Sequence, residues 1–205
     1  MAGIEKPILL DLPVPIRTRR LTLRPPVPGD GRMTNEAIAE STAELARFLP
    51  WASPVPTQEQ SEEKVRLFAA SFILREAIIF FMWRENRLIG LCDIHRPNWK
   101  IPSGEIGYWL RTSEAGKGYM TEAVNALSLY AFRVLGLRRL VLGCDDENTR
   151  SAAVAQRLGF SLESRALGTH LKIGSDELAT SRTYVRFNAD GLSDEGVSWG
   201  AKAAP

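Results

Sequence analysis

GEIGYWL at residues 104–110, followed by GKGYMTEA at residues 116–123, is the stretch that decides the fold. The first run has the composition of a β-strand, the glycines after it predict a turn, and a helix is expected from residue 118 onward. Glycine permits backbone conformations that a Cβ would forbid, so successive amides can point into one concavity beside the positive end of the helix. A strand, a glycine turn and a helix in this order are typical of a pyrophosphate site.

Two common phosphate-binding motifs do not fit this turn. A P-loop has Ser or Thr directly after its Gly-Lys pair, whereas Gly118 follows Lys117. A dinucleotide fingerprint has a third glycine where Thr121 stands. The turn therefore belongs to another class of phosphate-binding loop.

The composition is that of one globular domain, because 205 residues with 44% hydrophobic and 24% charged side chains can bury a core. The net charge of +2 is too small to indicate a nucleic-acid partner. Basic residues nevertheless cluster around and after the glycine turn, which could supply cations to an anionic ligand. They are Lys117, Arg133, Arg138, Arg139, Arg150, Arg157 and Arg165.

Cys92 and Cys144 each lie in an apolar run, without the spacing of a metal site, and are expected to be reduced core thiols. No metal is expected. The N-terminal residues show no continuous apolar core of a signal peptide, and no apolar run approaches the length of a membrane span. We therefore expect a cytoplasmic protein with no membrane partner.

Hydrophobic periodicity predicts the element order β-α-α-β-β-β-α-β-α-β-β. Residues 57–60 have the spacing of a capping box, which begins the second helix. The strands are predicted at 20–24, 77–83, 87–94, 105–111, 139–144, 160–167 and 180–188, and the helices at 30–48, 57–73, 118–135 and 151–158. Residues 1–16 and 189–205 are predicted to be tails with little to bury, leaving a domain at 17–188.

Together with DENTRS at residues 146–151 and LGF at 158–160, the strand, glycine turn and helix resemble the GNAT acyltransferases. Within them the chain is most similar to the ribosomal-protein N-acetyltransferase (RimJ/RimL) branch. The resemblance covers about residues 17–188. It implies an α+β fold with a mixed sheet of about seven strands and four helices, splayed between the fourth and fifth strands, at 105–111 and 139–144.

The resemblance implies that acetyl-CoA binds at the glycine turn and in the splay. The family pattern is Gln/Arg-x-x-Gly-x-Gly/Ala, and this chain departs from it with Ala115 and Met120 at the first and last positions. The loss at Ala115 removes a side-chain contact but leaves the backbone amides in place. The expected cofactor contacts are Leu110, Arg111, Ala115, Gly116, Lys117, Gly118, Tyr119, Met120, Thr121, Asn148, Ser151 and Arg157. Asn148 and Ser151 match the family's Asn-x-x-Ser, although both residue types are also common helix caps.

Acetyl transfer to an amine requires a base for the amine, a donor to the carbonyl oxygen and a proton for the leaving sulfur. Ser151 is the candidate proton donor. The resemblance offers Glu105, at the start of the fourth strand, and His170, past the LGF segment, as alternative bases. A backbone amide near Leu110 or Arg111 is the expected oxyanion donor.

Four aromatic residues are further candidates for the site. Tyr108 and Tyr119 flank the expected site but are more typical of packing, and Trp51 and Trp99 are candidates to shape the acceptor pocket.

The leading interpretation is an N-acetyltransferase that acts on the N-terminal α-amine of a protein. A small-molecule amine such as an amino acid, polyamine or antibiotic is the alternative acceptor. A non-catalytic acyl-CoA-binding regulatory module is a third interpretation, favoured by the departure at Ala115. A homodimer remains open.

Overall fold

The computed structural model describes residues 3–200. Nine strands form one mixed sheet in the order β7-β8-β6-β5-β4-β3-β2-β1-β9. The strands are β1 (Ile16–Arg17), β2 (Thr22–Arg24), β3 (Ile78–Arg84), β4 (Arg87–Asn98), β5 (Ser103–Leu110), β6 (Arg139–Asp145), β7 (Ser161–Leu171), β8 (Leu178–Arg186) and β9 (Ser198–Trp199). The helices are α1 (Gly31–Leu45), α2 (Gln58–Leu74), α3 (Tyr119–Arg133) and α4 (Thr149–Arg157).

The predicted class, element order and four helices are confirmed, whereas the count of about seven strands was wrong. The two additional strands, β1 and β9, have two residues each, which is too short for a hydrophobic period to be recognised. They pair with each other at one edge of the sheet, where Ile16 lies opposite Trp199.

Parts of both predicted tails pack on the domain. The Trp199 ring makes an edge contact with Tyr130 of α3, with 5.8 Å between ring centroids, and Val197 packs against the same core. Leu12 and Val14, in the N-terminal segment, also pack there. The folded unit of the described residues therefore extends past the predicted limits at 17 and 188, because isolated apolar side chains in aperiodic segments are partly buried against the core.

The two faces of the sheet carry separate apolar layers. α3 and α4 cover one face, where Phe80 and Leu140 are fully buried, and most of α1 and α2 covers the other, where Phe81 is fully buried. Strand alternation assigns neighbouring residues to opposite faces. Each side chain at the centre of the sheet can thus be placed on the α3/α4 face or on the α1/α2 face.

Local signals form as predicted. Thr57 and Gln60 make both hydrogen bonds of the capping box at the start of α2. Among residues 3–200, no helix is long and apolar enough to cross a membrane.

Candidate active site

The centre of the sheet opens where β5 and β6 diverge. These two strands are parallel and pair only over residues 103–105 and 139–141. Beyond Glu105 and Val141 each strand keeps its other neighbour, β4 for β5 and β8 for β6. The splay predicted from the resemblance is therefore present, and it leaves backbone groups of both strands facing a gap.

A cleft of about 1740 Å³ passes through this gap. It is lined by the diverging strands, the glycine turn, the start of α4 and the end of α1. Since α4 and α1 cover opposite faces of the sheet, the cleft joins the two faces. A long ligand entering from the α3/α4 face can meet a second molecule bound on the α1/α2 face.

The glycine turn has the geometry that its sequence predicts. Gly116 and Gly118 have φ of 77° and 81°, in the left-handed region that favours glycine. Gly118 is the residue before the first turn of α3. The first amides of a helix have no intrahelical acceptor, so those of Tyr119, Met120 and Thr121 are available to an anion at the positive end of α3.

Arg20, which sequence analysis did not connect with this turn, lies directly against it. Its Nη1 donates to the Lys117 carbonyl at 3.0 Å, and its guanidinium stacks over the Tyr119 ring at 4.5 Å. Its Nε donates to Glu122 at 2.6 Å, in the first turn of α3. Arg20 therefore braces the turn, with its guanidinium paired to Glu122 at the start of α3.

Two predicted cofactor residues direct their side chains elsewhere. The Lys117 ammonium contacts the buried carboxylate of Glu114 at 2.9 Å. The Arg111 guanidinium is buried and donates to Glu40 at 2.6 Å and to the Leu88 carbonyl at 2.7 Å. Neither side chain faces a bound pyrophosphate in this arrangement, because an adjacent carboxylate draws each cation away from the turn.

The backbone hydrogen bonds distinguish the two candidate oxyanion donors, which are the amides of Leu110 and Arg111. The Arg111 amide donates to the Ile89 carbonyl at 2.7 Å, so it is occupied. In an antiparallel ladder, pairs that exchange hydrogen bonds alternate with pairs that do not, so the neighbouring pair of Leu110 and Gly90 exchanges none. The N–H of Leu110, opposite Gly90, therefore points away from β4 and into the gap.

Ser151 and Asn148 lie on the α3/α4 side of the gap, at the start of α4. Asn148 caps this helix by accepting from the Ser151 amide at 3.1 Å. The Tyr108 hydroxyl of β5 lies 2.8 Å from Ser151 Oγ and 3.3 Å from the Ser151 carbonyl. Burial raises the pKa of Tyr108, so its hydroxyl stays protonated. It can donate to Ser151 and leave the serine proton free to point into the cleft.

Cys144, on β6, lines the cleft on the same face of the sheet. It is partly buried, its pKa is raised mainly by burial, and a hydrogen bond with Ser151 lowers it in part. Cys92 is fully buried, which raises its pKa strongly. Both cysteines are free thiols, as predicted.

Glu105 faces the opposite, α1/α2 side of the gap, together with His95 of β4. His95 Nε2 lies 3.2 Å from Glu105 Oε2, and His95 Nδ1 lies 2.9 Å from Asp93 Oδ1. Arg96 donates to the same Glu105 oxygen at 3.1 Å. His95 could not be predicted from the sequence, because the strand register that places it opposite Glu105 leaves no signal in a linear pattern.

His170, the alternative base, also lies on the cleft. Its Nε2 is 3.0 Å from Asp145 Oδ2, at the end of β6, and its Nδ1 contacts the Thr169 hydroxyl at 3.0 Å. Both imidazole nitrogens are thus engaged. Glu105 and His170 line the same cleft from different strands, so the structure brings both candidates to one site.

Few of the clustered basic residues face the cleft. Arg150 and Arg157 line it, whereas Arg133, Arg139 and Arg165 pair with carboxylates elsewhere on the surface. The predicted cation supply at the turn is therefore smaller than the sequence indicated.

The two tryptophans proposed for the acceptor pocket separate. Trp51 makes an edge contact with Trp109, a cleft residue, at 6.3 Å between centroids. Trp99 packs with the α3 core and donates to the Arg75 carbonyl at 3.0 Å, so its assignment to the pocket was wrong.

Comparisons with known proteins agree with this arrangement. Residues 20–161 match the family model described as Acetyltransferase (GNAT) domain. The chain is 31% identical over 128 residues to the ribosomal-protein-serine acetyltransferase of Escherichia coli (strain K12), covering 62% of this chain and 72% of that protein.

Two solved structures share the fold. One is RimL, a ribosomal L7/L12 alpha-N-protein acetyltransferase in complex with coenzyme A, with a TM-score of 0.79, 24% identity, and coverage of 87% of this chain and 98% of that one. The other is the ribosomal-protein-S5-alanine acetyltransferase from Vibrio fischeri, with a TM-score of 0.78, 22% identity, and coverage of 88% and 99%.

Proposed function

The chain belongs to the GNAT acetyltransferase family, and from this premise we propose that it acetylates the N-terminal α-amine of a protein by direct attack in a ternary complex. The acetyl donor is acetyl-CoA. The observation that carries the proposal is the cleft that joins the two faces of the sheet at the splay. A protein acceptor is favoured by the relative named for a ribosomal-protein serine.

Acetyl-CoA supplies an activated acyl group on a thioester. We assign its pyrophosphate to the glycine turn, where the amides of Gly118 to Thr121 meet the N-terminus of α3. Asn148 is assigned to the pantetheine arm, a role compatible with its capping of α4. Arg157, exposed at the end of α4 on the cleft, is assigned to the phosphates.

We assign the acid and the base to opposite faces. The Leu110 amide, facing the gap, would donate to the carbonyl oxygen as charge develops there. Ser151, fixed by Tyr108 and Asn148, would protonate the leaving sulfur. Glu105, on the acceptor side, would take the proton from the amine.

A thiol-release assay with matched acceptors tests the function. The panel contains peptides beginning with Ser, Ala or Met, the same peptides with a blocked N-terminus and one free lysine, and amino acids, polyamines and aminoglycosides. We expect release with free N-terminal peptides and little with the blocked ones, because an α-amine has a pKa of about 8 and a lysine about 10.4. Faster turnover of small amines would contradict the protein acceptor, and acetyl-CoA binding without any release would indicate a non-catalytic module.

We further propose a cytoplasmic homodimer. Strand β7 is an edge strand whose residues are almost all exposed, including Leu167 and Leu171. Two copies of such an edge can pair with each other about a twofold axis. Light scattering after size exclusion would give a dimer mass for the wild type and a monomer mass for Leu167→Lys; a monomeric wild type would contradict the proposal.

A further inference from the structure

Three side chains on the acceptor side of the sheet form a continuous hydrogen-bonded row from the cleft to a backbone anchor. Glu105 lies at the start of the splay, His95 is its partner on β4, and Asp93 lies two residues before His95 on the same face. Asp93 Oδ1 also accepts from the Gly107 amide at 3.0 Å. The row is therefore fixed to both strands at its inner end.

The hydrogen bonds determine where the imidazole carries its proton. An ionised carboxylate only accepts, so the contact of Asp93 with His95 Nδ1 places a proton on that nitrogen. In the neutral imidazole Nε2 then has a lone pair, 3.2 Å from Glu105 Oε2. Two acceptors at this distance are suited to share one added proton. Arg96 donates to the same Glu105 oxygen at 3.1 Å and so helps to hold it beside His95 Nε2.

We propose that His95 is a positioning residue of the acyl transfer, which receives from Glu105 the proton of the acceptor amine and passes it to solvent. The proposal rests on the proposed function and on Glu105 as the base. His95 suits the task because its side chain is 37% exposed, whereas a carboxylate alone is a weak base at neutral pH.

The proton balance of the step is complete. The neutral amine nitrogen forms a bond to the thioester carbonyl carbon, and the bond from that carbon to sulfur breaks. Sulfur takes a proton from Ser151. The nitrogen loses its proton to Glu105, and this proton moves to His95 Nε2 and then to water. Ser151 regains its proton from solvent, so one acetylated amine, one thiol and the original enzyme remain.

The groups around His95 determine the expected pH dependence. The hydrogen bond to Asp93 raises the pKa of His95 most, burial opposes it, and the charges of Asp93 and Glu105 add to the rise while Arg96 opposes it. The β3 residue paired with Asp93 is the apolar Ile79. The end of α1 contributes Glu44 to the same cleft, and the turn after α1 contributes Arg47. The competent form, with neutral His95, therefore forms as the pH rises through a pKa above the usual value.

The test is the pH profile of kcat at saturating peptide and acetyl-CoA for the wild type, His95→Gln and Asp93→Asn. We expect kcat of His95→Gln to fall on the order of 10²-fold and its pH profile to keep only the rise that comes from ionisation of the acceptor amine, near pH 8. In Asp93→Asn the rise should persist but move to lower pH, because the carboxylate that raises the pKa of His95 is gone. The acceptor's own ionisation, near pH 8, adds the same rise to all three proteins.

A second readout does not depend on turnover. The chain has two histidines, so imidazole resonances can be assigned by comparing the wild type with His95→Gln. We expect the pKa of His95 from NMR titration to lie above that of a model imidazole and to fall in Asp93→Asn.

The outcomes separate this inference from the function. A wild type with no acyl transfer to any amine would remove the proposed function. An active wild type whose kcat profile is unchanged in His95→Gln, or whose profile fails to shift in folded Asp93→Asn, would remove the role of His95 alone.

Discussion

Replacing Gly118 by Asp tests the assignment of the pyrophosphate to the glycine turn. The added carboxylate would lie near the first amides of α3, about 4 Å from a phosphate bound there. Two unit charges at that distance repel by about 1 kcal/mol in water and about 4 kcal/mol at an effective dielectric constant of 20. Acetyl-CoA affinity should therefore fall between about fivefold and several hundredfold. Arg20 Nη2 lies 3.5 Å from the position of the new Cβ but already contacts Glu122 at 2.6 Å, so it offsets only part of this charge.

Backbone strain must be separated from this effect. A residue with a Cβ at the φ of 81° of Gly118 costs about 1–2 kcal/mol of folding stability. The strain is present with and without cofactor, so it leaves the dissociation constant unchanged. Gly136→Asp is a matched control, because Gly136 has a φ of 67° with open space around its Cβ position and lies beyond the far end of α3. Gly118→Asn retains the shape of the aspartate without its charge.

Calorimetric titration with acetyl-CoA at low and high salt measures the effect. We expect Gly118→Asp to bind most weakly, Gly118→Asn to be intermediate and Gly136→Asp to match the wild type. The difference between the Asp and Asn variants should shrink with salt, since the repulsion is screened. Equal affinities for Gly118→Asp and Gly136→Asp in folded proteins would refute the assignment of the turn.

Four further substitutions test the acid, the two candidate bases and the Arg111–Glu40 ion pair. Ser151→Ala should lower kcat more than acetyl-CoA affinity, because a proton donor to the leaving sulfur acts in the transition state. A loss of stability with normal turnover per folded molecule would show that Ser151 only stabilises the first turn of α4. Glu105→Gln should lower the rate and remove the part of the rising limb that does not come from the acceptor amine, whereas His170→Gln should keep that part, and the reverse result would make His170 the base. For Glu40, burial raises the pKa, but hydrogen bonds from Ser113 and Arg111 outweigh it and lower the pKa to about 2. Its contribution to stability is thus present above about pH 4.5 and lost as the pH falls toward 2, so urea unfolding from pH 5 to 3 should show a smaller loss in Glu40→Gln than in the wild type.

Much of the fold was predictable because it depends on local rules. The periods of apolar residues determine which segments are helices and strands, and the capping box at Thr57 and the glycines at 116 and 118 produce their structures through torsions and neighbouring hydrogen bonds. The family resemblance then supplied the position of the splay, which the limited pairing of β5 and β6 bears out. Strands β1 and β9 escaped prediction, since two residues cannot display a period.

The side-chain partners of the site were decided by tertiary structure. Arg20 reaches the turn from 97 residues away, the Lys117 side chain turns to Glu114 instead of the cleft, and the register of β4 with β5 puts His95 beside Glu105. Sequence by itself determined that a glycine turn precedes a helix and that candidate acids and bases exist. Which of them meet depends on strand register and on the direction of each side chain, because hydrogen bonds between distant residues form only after the sheet has brought its strands together.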